Sequence, residues 1–148
     1  MKAGIDYTGL CVVFYCHDGN GNVLFGKRGK NSRDDICRWD IGGGKVEFDA
    51  NVIQTLRDEI MQEYGTIVLN HDFLGYRDVH RVDEQQRKTH WVGLDFKVLI
   101  DRTLARNNEP HKLDEVRWFK QGEWPSPAHS QFPEFLRLYW VRLGLDSS

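Results

Sequence analysis

Residues 42–65 read GGGKVEFDANVIQTLRDEIMQEYG, a glycine turn followed by a run in which Val52, Ile53, Leu56, Ile60 and Tyr64 recur at helical spacing. Asp49 stands where an N-cap belongs, and the spacing predicts an amphipathic helix over about Ala50 to Tyr64. At about 100° per residue the apolar side chains fill one stripe, with Glu59 and Glu63 at its edge rather than opposite it. Two carboxylates at i and i+4 repel each other by roughly a few tenths of a kcal/mol, and this edge of the helix offers no obvious basic partner.

A divalent cation turns that repulsion into attraction. Magnesium prefers hard oxygen ligands and retains several waters, so a few carboxylates and the oxygens of a diphosphate complete its shell. Glycines just ahead of a helix let backbone groups approach phosphates closely. The stretch therefore reads as a magnesium–diphosphate site. The plainer alternative, an acidic surface helix, leaves the agreement of glycine turn, cap, apolar stripe and carboxylates unexplained.

The same segment resembles the Nudix box, G-x(5)-E-x(7)-R-E-U-x-E-E-x-G-U, where U is a bulky apolar residue. Anchored on Gly65, the box begins at Gly44 and puts Ala50 at the first Glu, Asp58 at the Arg, Glu59 at the next Glu and Ile60 at U. Gln62 and Glu63 then stand at the Glu pair, and Thr66 where an apolar residue is usual. Anchored on Gly43 instead, Asp49 takes the first acidic position and Arg57 the arginine, with Asp58 inserted. Both alignments agree on Glu59, Gln62, Glu63 and Gly65. Upstream, LFGKR at 24–28 and WDIGGG at 39–44 are similar to the family's LLxKR strand and WxxPGG approach, with Gly42 replacing proline. Downstream, EPHK at 109–112 and EVRWF at 115–119 are similar to its last strand.

This resemblance implies an α/β fold, a Nudix-type α/β/α sandwich with a mixed sheet. It implies a Mg2+- or Mn2+-dependent hydrolase of nucleoside diphosphates linked to a further group, most readily nucleoside triphosphates. The implied metal ligands are Glu59, Glu63 and Gln62. Catalytic roles fall to Glu59, Glu63, Arg57, which would orient a glutamate, and Glu115, as general base or extra ligand, with Glu109 and Asp114 as rivals. Arg28, Gly43 and Gly44 are the candidates for phosphate contact, and Lys27 beside Arg28 is a second basic residue. Gln62 offers a carbonyl oxygen without charge, which removes about one unit of negative charge and predicts weaker metal binding. THWVGLDF at 89–96 is similar to GDP-mannose hydrolases, which keeps a nucleotide-sugar substrate open. Gln62 and the displaced arginine keep open a nucleotide sensor with weakened hydrolysis.

Composition narrows the rest. A chain of 148 residues with 40% apolar content suits one domain over residues 1–148. Twenty basic against 22 acidic residues give no general attraction for nucleic acid or anionic membranes, so the expected partner is a small nucleotide, with a homodimer left open. Cys11, Cys16 and Cys37 lack C-x-x-C spacing and read as buried thiols in a reducing compartment. The six histidines show no H-E-x-x-H spacing, which argues against a transition-metal site. Without a charged-then-apolar leader or a long apolar run, the expected location is cytoplasmic.

Apolar runs at Leu10 to Phe14 and Val23 to Phe25, joined by DGNGN at 18–22, predict a hairpin. Strands are expected over Ile67 to Leu69, Phe73 to Val79, Thr89 to Ile100 and Glu115 to Phe119. His80 to Lys88 reads as a polar loop carrying substrate selectivity, and Asp101 to Leu113 as a loop able to reach the metal site. Pro133 opens a closing helix bearing Phe135, Leu136, Leu138, Tyr139, Val141 and Leu143.

Overall fold

Alternation along the first strand, β1 (Gly9–His17), sends Val12, Phe14 and Cys16 to one apolar cluster and Tyr15 to a second. A strand buried on both faces belongs in the middle of a layered fold. The computed structural model, which describes residues 1–32 and 34–145, has that arrangement. The further strands are β2 (Asn22–Arg28), β3 (Trp39–Asp40), β4 (Gly43–Lys45), β5 (Val68–Val82), β6 (Lys88–Ile100) and β7 (Leu113–Lys120). The helices among the described residues are α1 (Val52–Tyr64) and α2 (Phe132–Tyr139).

The sheet is mixed. β1 runs parallel to β6 from Gly9 opposite Trp91 to His17 opposite Leu99, and β5, β2, β3, β4 and β7 join through antiparallel pairs. α1 lays Leu56, Ile60 and Tyr64 on the cluster of Val12, Phe14, Leu24, Phe96 and Val98. α2 lays Phe132, Phe135 and Tyr139 on the opposite cluster with Tyr15, Val23 and Phe25. The α/β/α sandwich expected from the sequence is thus present. No helix among the described residues is long and apolar enough to cross a membrane.

Four expectations need correction. Asp49 is not the N-cap: it adopts a left-handed φ of 67°, a conformation aspartate tolerates, and the helix begins at Val52 behind Asn51. There the Thr55 hydroxyl donates to the Asn51 carbonyl at 2.9 Å. His80 to Lys88 is not an open loop, because β5 continues to Val82 and β6 begins at Lys88. Asp83 closes the short turn between them, accepting from the Gln85 and Arg87 amides at 2.9 Å and from Arg87 Nε at 2.9 Å. The β1–β2 hairpin pairs only near its turn, at His17 and Val23, since β4 occupies the flank of β1 from Cys11 to Val13. Of the cysteines, all free, Cys16 is buried but Cys37 is exposed in the turn ahead of β3.

One buried polar network ties α2 to the sheet. Arg77 of β5, 7% exposed, grips the fully buried Asp95 of β6 through Nε at 2.7 Å and Nη2 at 2.9 Å, and the Tyr139 hydroxyl donates to Asp95 at 2.6 Å. Arg77→Ala leaves that carboxylate without its cation and is expected to cost about 3–5 kcal/mol. Tyr139→Phe removes one hydrogen bond and is expected to cost about 1–2 kcal/mol. Urea unfolding of both variants checks the ranking; equal, small losses would show that the ion pair is not the tie.

Candidate active site

The glycine turn is shaped by what surrounds it. Gly42 adopts φ 113°, closed to proline with its φ near about −65°, and a Cβ there would strike Phe14. This accounts for glycine where the family motif carries proline. A Cβ on Gly43 would come within 2.6 Å of the Val12 carbonyl oxygen. On Gly44 it would fall on Cδ and Oε2 of Glu59, so the Glu59 carboxylate lies directly over bare backbone.

α1 is held against this turn by Tyr64, whose buried hydroxyl donates to the Ile41 carbonyl at 2.8 Å. The preceding residue, Glu63, points its carboxylate into the same space. Its Oε2 is sealed from solvent and has no hydrogen-bond partner among the described residues. Burial pushes the Glu63 carboxyl well above the usual range, reinforced by Asp40, Glu109 and Glu59, with the Gly43 amide drawing it the other way. Glu59 is also raised, by burial and then by Glu109, with Lys112 partly offsetting.

Glu109 reaches the box because the loop from Asp101 to Leu113 caps α1. The Arg106 amide donates to the Tyr64 carbonyl at 2.8 Å and the Asn108 amide to that of Glu63 at 3.0 Å. The Asn108 side chain donates to the Met61 carbonyl at 3.0 Å, and Asn107 accepts from the Glu109 amide at 3.1 Å. These bonds satisfy carbonyls that a helix end leaves free. The caps and the glutamate therefore arrive together.

The other expected residues are less committed to this cluster. Glu115 is half-exposed on β7 and bonds Arg117 on its own strand. Arg57 and Gln62 are exposed, with no side-chain hydrogen bond or ion pair to the described residues. Arg28 is already engaged, to Asp34 at 2.8 Å and Asp40 at 3.4 Å. Asp40, absent from the sequence-based candidates, faces Glu63 from β3, and its place two residues before the glycine turn is the signal that would have found it.

Gly42, Gly43, Gly44 and Arg28 also line a cleft of about 770 Å³ on the α2 side of the sheet, walled by Arg81 and Phe135. Cys11 lies in it, with burial first and then Asp95 pushing its thiol up to about 11. Beside this cleft, which Asp40 also lines, the negative charges of Asp40, Glu109 and Glu59 act on Glu63, with Lys112 partly offsetting at Glu59. That chemistry fits a hard divalent cation.

A family model described as a NUDIX domain matches residues 8–139. The chain belongs to the Nudix family. Its fold is similar to a MutT NUDIX hydrolase from Burkholderia pseudomallei, with 21% identity, a TM-score of 0.75, and coverage of 90% of this chain and 98% of that one. The NUDIX domain of Shewanella oneidensis NrtR, complexed with ADP ribose, is 15% identical with a TM-score of 0.70, covering 97% of this chain and 90% of its own. A MutT protein from Methanosarcina mazei is 19% identical with a TM-score of 0.70, covering 92% and 95%. No curated protein sequence matches the chain.

The raised Glu63 carboxyl makes the stability of this Nudix protein depend on pH. The folded chain binds that proton more tightly than the unfolded chain, so in a chelator the contribution is fully present below the ordinary carboxylate range. It is lost as pH rises through the raised pKa. Glu63→Gln is expected to flatten this decline and to unfold at a higher denaturant midpoint than wild type at neutral pH. Parallel pH profiles for the two proteins would show that the buried carboxylate is compensated.

Proposed function

We propose that the chain acts as a single-domain, Mg2+- or Mn2+-dependent hydrolase of nucleoside diphosphate-linked compounds, with nucleoside triphosphates as favoured substrates. The observation that carries the reading is the unpartnered, solvent-sealed oxygen of Glu63 among Glu59, Asp40 and Glu109. Glu59 and Glu63, with the amide oxygen of Gln62, would hold the ion. When bound, such an ion screens phosphate charge and acidifies a coordinated water.

The chain's own residues do the rest. The missing side chains of Gly43 and Gly44 make room for the Val12 carbonyl and the Glu59 carboxylate, which seats Glu59 against the turn where an ion could join it to a diphosphate. Glu109 is the better candidate for accepting a proton from the attacking water. It is 15% exposed, it acts on both box glutamates, and its one salt-bridge contact among the described residues, to Lys112, is long at 3.6 Å, whereas Glu115 is paired with Arg117. Arg28 would serve phosphate only by leaving Asp40, its longer contact. The cleft beyond the glycine turn has room for the nucleoside.

Two further readings rest on particular observations. The similarity to a domain complexed with ADP ribose supports a nucleoside diphosphate joined to a sugar. Exposed Gln62 and unengaged Arg57 support a sensor with weakened hydrolysis.

A screen of nucleoside triphosphates, nucleotide sugars, ADP-ribose and dinucleoside polyphosphates with Mg2+ or Mn2+ tests these readings. Release of phosphate or pyrophosphate is expected, and Glu63→Gln should lower turnover by more than the roughly 10–100-fold typical of losing a supporting partner. No release from any compound, with thermal stabilisation by one of them, would favour the sensor.

Gln62→Glu restores one charge at the helix edge and is expected to tighten Mn2+ binding by calorimetry and to raise turnover. Lower activity with an intact fold would show that the amide is required.

A further inference from the structure

Away from the box, the β5–β6 ladder sets His80 directly opposite His90, and their rings stack with centroids 4.2 Å apart. Asp78, two residues before His80 and so on the same face of the strand, brings Oδ1 to 2.8 Å from His90 Nε2. One ligand atom from each of Asp78, His80 and His90 lies within 4.8 Å of the others. The second ring nitrogen of His90 is held by the Thr8 hydroxyl at 3.0 Å, and the His90 amide donates to the Gly4 carbonyl at 2.8 Å.

An imidazole with one nitrogen anchored by a polar group and the other turned to a carboxylate and a second imidazole is arranged as metal-ligating histidines are. His80 makes no side-chain hydrogen bond with the described residues, so its nitrogens are free to bind. The residues sit on paired strands rather than a loop, and the Asp78 side chain is 50% exposed, which leaves an entry path and room for water ligands. A second group, Asp34, Asp35 and His129, is equally close, but Arg81 already bonds both carboxylates, at 3.0 and 2.9 Å.

We propose that Asp78, His80 and His90 form a site for a borderline divalent transition-metal ion such as Zn2+, separate from the carboxylates beside α1. Two imidazoles and one carboxylate suit zinc and its neighbours and not magnesium, which prefers oxygen. Bonds of about 2.0–2.2 Å require only that the Asp78–His90 hydrogen bond open and the imidazoles turn slightly, with loss of whatever proton occupies the ligating nitrogens. The ion would join the base of a hairpin whose Arg81, Asp83 and Arg87 line the main cleft. Through His90 it would also fix the segment from Gly4 to Thr8, which borders a cavity of about 310 Å³ beside the histidines.

Calorimetric titration of ZnCl2 into the full chain, with excess MgCl2 present, tests the site. One saturable equivalent is expected, weakened about ten-fold or more in His80→Ala and in His90→Ala, with circular dichroism unchanged because both side chains lie on the surface. Thr8→Val should weaken binding by about 10–100-fold, and Co2+ in place of Zn2+ should give an absorption band lost in the same variants. The paired Glu59→Gln, Glu63→Gln protein should bind Zn2+ as wild type does. No binding by wild type, full binding by the two histidine variants, or loss in the glutamate pair or in His129→Ala would overturn the proposal.

Discussion

The hydrogen bond from the Tyr64 hydroxyl to the Ile41 carbonyl, 2.8 Å long and fully buried, joins the last turn of α1 to the backbone just ahead of three glycines. Everything at the site depends on this junction. With Tyr64 packed edge-on to Phe14 at 6.1 Å, the helix can approach the turn only where side chains are missing from it. Gly44 accepts the Glu59 carboxylate, and Gly43 offers its amide to Glu63. A larger residue at either place would lift the helix or turn its carboxylates away, so the glycines are as much a part of the donor set as the glutamates.

The same packing concentrates negative charge where it is least welcome. Asp40 arrives on β3, Glu109 on the loop that caps α1, and Glu59 and Glu63 on the helix itself. Lys112 and Arg28 offset part of this, but Arg28 is shared with Asp34. Burial and mutual repulsion therefore raise the proton affinity of Glu63 and of Glu59. Beyond the Gly43 amide and Lys112, the fold holds these groups in place through the apolar stripe beneath them. A site that costs stability when empty and regains it on filling is one whose occupancy and folding are linked.

How much of this the sequence revealed follows the range of the interactions. The apolar spacing of Val52 to Tyr64, the glycine turn and the placement of Glu59 and Glu63 are local, and the sandwich follows from strands and helices that each show their own periodicity. At Asp49 a left-handed turn and a helix cap look alike in sequence. From His80 to Lys88 the polar residues of an exposed ladder resemble those of a loop. Glu109 could not be chosen over Glu115 without the capping bonds from Arg106 and Asn108, which link residues 42 to 47 positions apart in the chain. The opposition of His80 and His90 likewise exists only once the register of β5 on β6 is known.

The departures from the box follow a physical division. Ala50, Asp58 and Gln62 are all exposed. Ile60, Glu63 and Gly65, which keep to the pattern, touch the core, the glycine turn or the left-handed helix end at φ 64°. Thr66 is the informative exception, buried yet polar, and its hydroxyl donates to the Asp101 carbonyl at 2.6 Å. That bond holds the start of the capping loop against the end of α1 and so helps to deliver Glu109. What the box loses in charge at its solvent edge, the chain partly replaces from Asp40 and Glu109, which enter from other elements. The carboxylates around Glu63 are accordingly set by tertiary packing as much as by the helix.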